Sequence, residues 1–194
     1  MTAKQTILTR LRAVTPPPRP LPDLPSRSAP PEELLARFRS VLKLSKTITS
    51  APAAPPEIAD YYPEANLIAS TVPYLPGNVA LANVKDPLEL ARVDLAVLEA
   101  KLGVAENGAM WVAEPEEHHR VLPFIAQHLL LVLDPEKIVP TMHEAYRRIE
   151  IDATGFGVFI AGPSKTADIE QSLVIGAHGP RSLTVVLANF NTFR

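Results

Sequence analysis

No cysteine occurs among the 194 residues. Its absence excludes thiolate nucleophiles, disulfides and cysteine-ligated iron–sulfur clusters within this chain. Long apolar runs are missing too, and no stretch reaches the roughly 20 residues a membrane-spanning helix needs. The N-terminal MTAKQTILTRLRAV has no apolar signal-peptide core, so a cytoplasmic location is the default expectation. The histidines, His118, His119, His128, His143 and His178, lack metal-ligand spacing, and HEAYR is not H-E-x-x-H, so no metal site is expected.

Proline, by contrast, is abundant. The chain has 21, about twice the average usage of roughly 5%. Eight fall in PPPRPLPDLPSRSAPP (16–31) and four more between Pro52 and Pro63. Proline cannot continue a helix interior and restricts the residue before it, so both stretches are extended or turning. Charge is uneven as well. Residues 1–50 hold nine Lys/Arg against three Asp/Glu, whereas residues 51–194 hold ten against eighteen. The basic arm therefore has an acidic surface to lie on, its own, a neighbouring subunit's or a partner's. Few aromatics and no base-reading motif argue against nucleic acid.

Residues 2–14 place Ile7, Leu8, Leu11 and Val14 on one helical face. A proline-rich linker (15–31) follows, and residues 32–194 read as a single domain. PEELLARFRSVL opens with Pro31 and two acids and carries an apolar stripe of Leu34, Leu35, Phe38, Val41 and Leu42, which predicts a helix. Residues 50–76 show no clear pattern. Beyond them NVALANV, VDLAVL, AMWVAE, HLLLVL, GVFIAG and SLTVVLANF read as strands, DPLELA as a short helix, and DPEKIVPTMHEAYRRI as a helix with Asp134 as N-cap. Strands apolar on both faces alternating with helices predict an α/β fold, a Rossmann-like, largely parallel sheet with helices on both faces.

GFGVFIAGPSKTADIEQSLVIGAHGPR (155–181) has the parts of a phosphate-binding loop but not the order. Gly157 and Gly162 have the spacing of G-x-x-x-x-G-K-[ST], yet VFIA between them is a strand sequence, and Pro163 and Ser164 stand where lysine and the hydroxyl belong. Instead the pattern predicts a strand ending at Gly162, a turn through PSKT, and a helix over ADIEQSLVI with Thr166 as N-cap and Asp168 and Glu170 in its first turn. The GAHGPR turn would end that helix. Gly162, Ser164, Lys165, Thr166, Asp168, His178, Gly179 and Arg181 then flank one short helix at the carboxyl end of a strand, where ligands usually bind. Helped by Lys165 or Arg181, such a helix start is a site for a small carboxylate or phosphate. The alternative is that these residues only cap and turn.

AGPSKTADIEQSLVIGAHGPRSLTVVL resembles the C-terminal signature of the LUD (lactate utilisation) domain family, GPS-[RK]-TADIE-x-x-LV-x-G-x-HGPR-x-L-x-V-x-L. VDLAVLEAKLGVAENGAMWVAE and HLLLVLDPEKIV are similar to the family's upstream segments, and ILTRLRAV resembles its N-terminal helix. Asn107 and Ala109 depart from the threonines common there, and residues 15–76 are compressed. The resemblance implies a fold like the NagB/RpiA/CoA-transferase group. It also implies, for a short cysteine-free C-type member, a place beside two iron–sulfur proteins in oxidation of L-lactate to pyruvate, with the clusters in the partners and no cofactor in this chain. AENG (105–108) is similar to the S-E-N-G turn of class I CoA transferases, which makes Glu106 a candidate nucleophile or general base, or else a partner for a backbone turn, Arg181 or Lys165. His178 is a candidate for ligand contact or proton transfer. The family's fold equally admits a stand-alone CoA-transferase-like or sugar-phosphate enzyme, or an anion-binding module without chemistry.

Overall fold

The computed structural model describes residues 2–14, 19–20, 29–52, 56–113, 120–149, 155–169 and 172–188. Most of the proline-rich linker, and with it His118, His119 and Glu170, lies outside them. Five parallel strands form the central sheet in the order β1 (Ile48–Ser50), β11 (Ser182–Leu187), β6 (His128–Leu133), β3 (Leu95–Ala100), β2 (Ile68–Ser70). β3, β6 and β11 are buried almost throughout, as strands covered on both faces must be.

One face carries Leu98, Leu131 and Val185 into a core with Phe38, Leu42, Leu122 and Met110. Phe38 and Leu42 come from α2 (Pro31–Leu44) and Leu122 from α3 (Leu122–Ile125). Met110 comes from a second, mixed sheet of β7 (Ile138–Val139), β4 (Leu102–Val104), β5 (Met110–Ala113) and β8 (Gly157–Ile160). The outer face of that sheet is closed by α4 (Met142–Arg148), where Trp111 meets Phe159 with ring centroids 4.8 Å apart and Tyr146 meets Phe159 at 5.6 Å. The other face of the parallel sheet, carrying Val97, Leu130 and Val186, packs on Ile58, Tyr61, Tyr62, Val72 and Leu75. Within the stretch unpatterned in sequence, residues 56–76 thus supply β2 and a covering layer that includes a 3-10 turn at Ile58–Asp60.

α1 (Ala3–Ala13) forms as expected, capped by Thr2, but buries none of its residues. The predicted strand at NVALANV is absent. Asn78 and Val79 both donate backbone N–H groups to Ile68 O, Asn78 Oδ1 accepts from Ile68 N, and Leu81–Asn83 form a 3-10 turn. A side chain that can satisfy backbone groups favours this turn over a ladder. The helix predicted from Asp134 through Ile149 is also divided. Asp134 does accept from Glu136 N, and Pro135 opens a 3-10 turn, but Ile138 and Val139 become β7, and α4 starts afresh with Thr141 as N-cap. Pro140 explains the break, because it disfavours the helical region for Val139.

Candidate functional site

The largest difference from the sequence reading falls in the 155–181 segment. ADIEQSLVI is not a helix. Lys165–Ile169 form β9 and Ser172–Ile175 form β10, paired antiparallel. Thr166 is therefore a strand residue opposite Val174, not an N-cap, and Asp168 lies within β9 rather than in a helical first turn. Ile169, Leu173 and Val174 meet helical spacing by coincidence, while the β-branched residues at 166, 169, 174 and 175 favour extended backbone.

With the helix gone, the loops themselves come together. Ser164 N donates to Pro180 O at 2.9 Å, and Gly176 N donates to Ser164 O at 2.9 Å. A Cβ on Gly179 would lie 3.0 Å from Ser164 Cβ, so glycine there permits the two turns to touch. Gly162 has φ +113°, and the point where its Cβ would stand is 3.2 Å from both Lys165 Nζ and Ser45 Oγ. Ser45 is the C-cap of α2, so the Lys165 ammonium lies by the negative end of that helix. Gly162, Ser164, Lys165, Gly179 and Arg181 are thus assembled in one place. His178 is exposed at the tip of the second turn.

Their location qualifies a second expectation. β8 belongs to the mixed sheet, and the two turns are tied to the start of β11, where Arg181 N donates to Gln127 O at 2.8 Å. The signature loops do follow the carboxyl end of β8, but with β8 in the mixed sheet they stand at the amino end of the parallel one.

Glu106 is elsewhere. It occupies the turn between β4 and β5, and its Oε2 accepts the backbone N–H of Met142, the first residue of α4, at 3.1 Å. A carboxylate at that position satisfies an orphan helix donor and complements the helix dipole. Asn107 Oδ1 accepts from Ala109 N at 3.0 Å and completes the turn without a threonine hydroxyl. Among the described residues Glu106 makes no ion pair with Lys165 or Arg181.

Beside the signature loops lies a network that sequence reading missed. Thr184 Oγ1 is 2.9 Å from Tyr62 OH, Tyr62 OH is 3.0 Å from Ser182 Oγ, and Ser182 Oγ is 2.8 Å from His128 Nδ1. The Tyr62 and His128 rings sit 5.3 Å apart. Ser182 and His128 face each other because they are the paired first residues of β11 and β6. The available signal was a polar residue opening each apolar run, HLLLVL and SLTVVL; the pairing of the two runs was not readable. Asp94, just before β3, accepts from Asn66 N and Leu67 N at 2.9 Å each.

These contacts set the acid response. Backbone N–H donation from Leu67, then Asn66, with a smaller pull from His128, holds the Asp94 carboxyl below its ordinary value. Burial first, then the positive Arg181, pushes the His128 imidazole down, with Asp94 opposing. Both groups bind protons more weakly in the folded state, so both lose stabilisation on acidification. His128 contributes above its unfolded value of about 6.5 and loses that as pH falls below it; Asp94 does the same below about 4. Urea titrations from pH 8 to pH 3 are expected to show falling stability in two stages, with Asp94→Asn flattening the lower one. A lower stage unchanged in that variant would contradict the assignment.

Among the described residues no three His, Cys, Asp or Glu side chains are grouped to hold a metal ion, and no helix is long and apolar enough to cross a membrane. The LUD domain matches this chain over residues 46–188, and the chain belongs to that family. Among its relatives, Lactate utilization protein C of Geobacillus thermodenitrificans is 32% identical over 108 residues, covering 53% of this chain and 44% of the relative. The protein of the same name from Oceanobacillus iheyensis is 25% identical over 104 residues, covering 50% and 45%. The aligned stretch thus spans less than half of each relative's length. A DUF162 family protein of Deinococcus radiodurans shares the fold, with a TM-score of 0.64 at 18% identity over 84% of this chain and all of that one.

Proposed function

We propose that this chain is a cytoplasmic component of a lactate utilisation system that oxidises L-lactate to pyruvate together with iron–sulfur partner proteins. The observation that carries the reading is its LUD domain together with relatives named Lactate utilization protein C. The cysteine-free sequence fits a subunit whose clusters reside in its partners. Ser164, Lys165, His178, Gly179 and Arg181 form the ligand-facing surface in this reading, and the two cations supply the charge a small carboxylate needs. A fold of the NagB/RpiA/CoA-transferase kind also admits Glu106 as a nucleophile, but a carboxylate already accepting the Met142 N–H is better suited to capping than to attack.

The test is a pull-down of the tagged full-length chain from its host grown on lactate, with the eluate assayed for iron–sulfur absorbance and lactate-dependent dye reduction. Co-eluting clusters with activity are expected, and a lone inactive chain under conditions that preserve complexes would overturn the proposal. Glu106→Gln is expected to leave that activity within about twofold while Glu106→Ala lowers stability by about 1 kcal/mol, the usual effect of losing a helix cap. Activity abolished by Glu106→Gln in a stable protein would instead favour the CoA-transferase-like chemistry.

A further inference from the structure

The network of Thr184, Tyr62, Ser182 and His128 has a direction. Each hydroxyl has one hydrogen to donate. Thr184 is 2% exposed, and its only side-chain partner among the described residues is Tyr62 OH. Its hydrogen is therefore donated to Tyr62, since a buried donor left unpaired is costly. Tyr62 can donate to Ser182 Oγ at 3.0 Å or to Leu129 O at 3.4 Å, and the shorter bond is the better one. Ser182 in turn donates to His128 Nδ1 at 2.8 Å. That sequence uses every hydroxyl hydrogen and leaves Nδ1 as an acceptor, so in the neutral ring the proton resides on Nε2.

Nε2–H is where the chain of donors ends. The ring is half-buried at the amino edge of the sheet, and among the described residues Nε2 has no hydrogen-bond partner. Arg181 directly precedes Ser182, and its backbone N–H is fixed on Gln127 O, the residue before His128. Its side chain is exposed, and among the described residues its guanidinium has no ion-pair or hydrogen-bond partner. Two side-chain donors, one cationic and one neutral, thus stand at adjoining strand starts without acceptors. The charged groups acting on His128 are Arg181 and Asp94; Asp94 Oδ2 accepts from Asn66 N and Leu67 N, and among the described residues Asp94 makes no hydrogen bond or ion pair with His128 or Arg181. An acceptor carrying negative charge would complement both donors.

We propose that the amino edge of the parallel sheet is a binding site for a small carboxylate, held by the Arg181 guanidinium and by His128 Nε2–H, with Ser182, Tyr62 and Thr184 fixing the imidazole in its donor tautomer. A 2-hydroxy or 2-oxo monocarboxylate is the ligand class, its carboxylate on Arg181 and its 2-oxygen on the imidazole. The ligand class, but not the site itself, rests on the lactate reading. Ser182 and Tyr62 are positioning residues, since they act through His128.

The test uses the full chain labelled with 15N at histidine, titrated separately with L-lactate, pyruvate and inorganic phosphate while the His128 ring nitrogens are followed by NMR. Without ligand, Nδ1 is expected at the shift of an unprotonated nitrogen and Nε2 at that of a protonated one. L-lactate or pyruvate should then move Nε2 saturably, Arg181→Gln should weaken binding by roughly tenfold or more, and Ser182→Ala should mix the two ring tautomers. Arg181→Gln alters an exposed side chain, and an unchanged melting temperature confirms its fold; His128→Gln, which abolishes binding in the same scheme, provides a second variant read by calorimetry. The site is overturned by the absence of a saturable response to either carboxylate, by undiminished binding in Arg181→Gln, or by a response to phosphate alone. If the isolated chain ignores carboxylates while its purified complex oxidises lactate, the site falls and the lactate reading stands. If the chain binds them but brings down no iron–sulfur partner, the site stands and the reading falls.

Discussion

Gly157→Ala is expected to destabilise the fold by about 3 kcal/mol, at the upper end of what overpacking a well-filled core costs. A Cβ at position 157 would stand 2.0 Å from Trp111 Cζ2 and 2.4 Å from Cη2. Gly157 pairs with Ala113 at one end of the β5–β8 ladder, so the backbone cannot retreat without giving up that pairing. Trp111 cannot move aside easily, because it is 7% exposed and packed on Phe159. The clash therefore has to be absorbed by an off-rotamer indole or by a shift of β8. Urea denaturation of Gly157→Ala alone and combined with Trp111→Leu separates these outcomes. The smaller side chain should restore part of the loss, and strictly additive effects would show that the ring is not the obstacle. The consequence reaches the signature loops, since β8 leads directly into Gly162 and Ser164.

Tyr62→Phe is expected to cost about 2 kcal/mol, although it removes a single oxygen. The hydroxyl lies between Ser182 and Thr184, and Thr184 is buried where water does not reach. Losing it strands the Thr184 hydroxyl, and a buried polar group without a partner carries its full desolvation penalty, roughly 1–3 kcal/mol. Combining Tyr62→Phe with Thr184→Val removes both members of that bond and keeps the shape of each side chain. The double variant should therefore be less destabilised than the sum of the singles. Additivity would show that the two hydroxyls do not depend on one another. The same pair bears on ligand binding, because Tyr62 and Thr184 set the hydrogen order that makes His128 Nε2 a donor. The double variant is expected to keep the fold and to weaken carboxylate binding, which separates positioning from stability.

The sequence by itself determined the elements whose physics is local. Apart from His128, Ser182 and Thr184, HLLLVL and SLTVVL are apolar on both faces, and a strand of that kind is stable only with both faces covered, so the parallel sheet followed. Pro31 with Glu32 and Glu33 set the start of α2, and Asp134 with Pro135 set the turn after β6, because capping is satisfied within a few residues. The signature residues identified the family, and five of them, Gly162, Ser164, Lys165, Gly179 and Arg181, do assemble. Tertiary structure decided what local chemistry left balanced. ADIEQSLVI fits a helix by spacing and a hairpin by composition, and pairing of β9 with β10 settled it. Ile138 and Val139 left the helical pattern once β4 offered them a ladder. The end of the sheet on which the signature loops stand depended on which sheet β8 joined. Tyr62, His128 and Ser182 lie in three distant segments and meet only because β6 and β11 start in register beneath the covering layer. No periodicity or spacing encodes such a meeting, since hydrogen bonds across 54 and 120 residues form only after the sheet that carries them has folded.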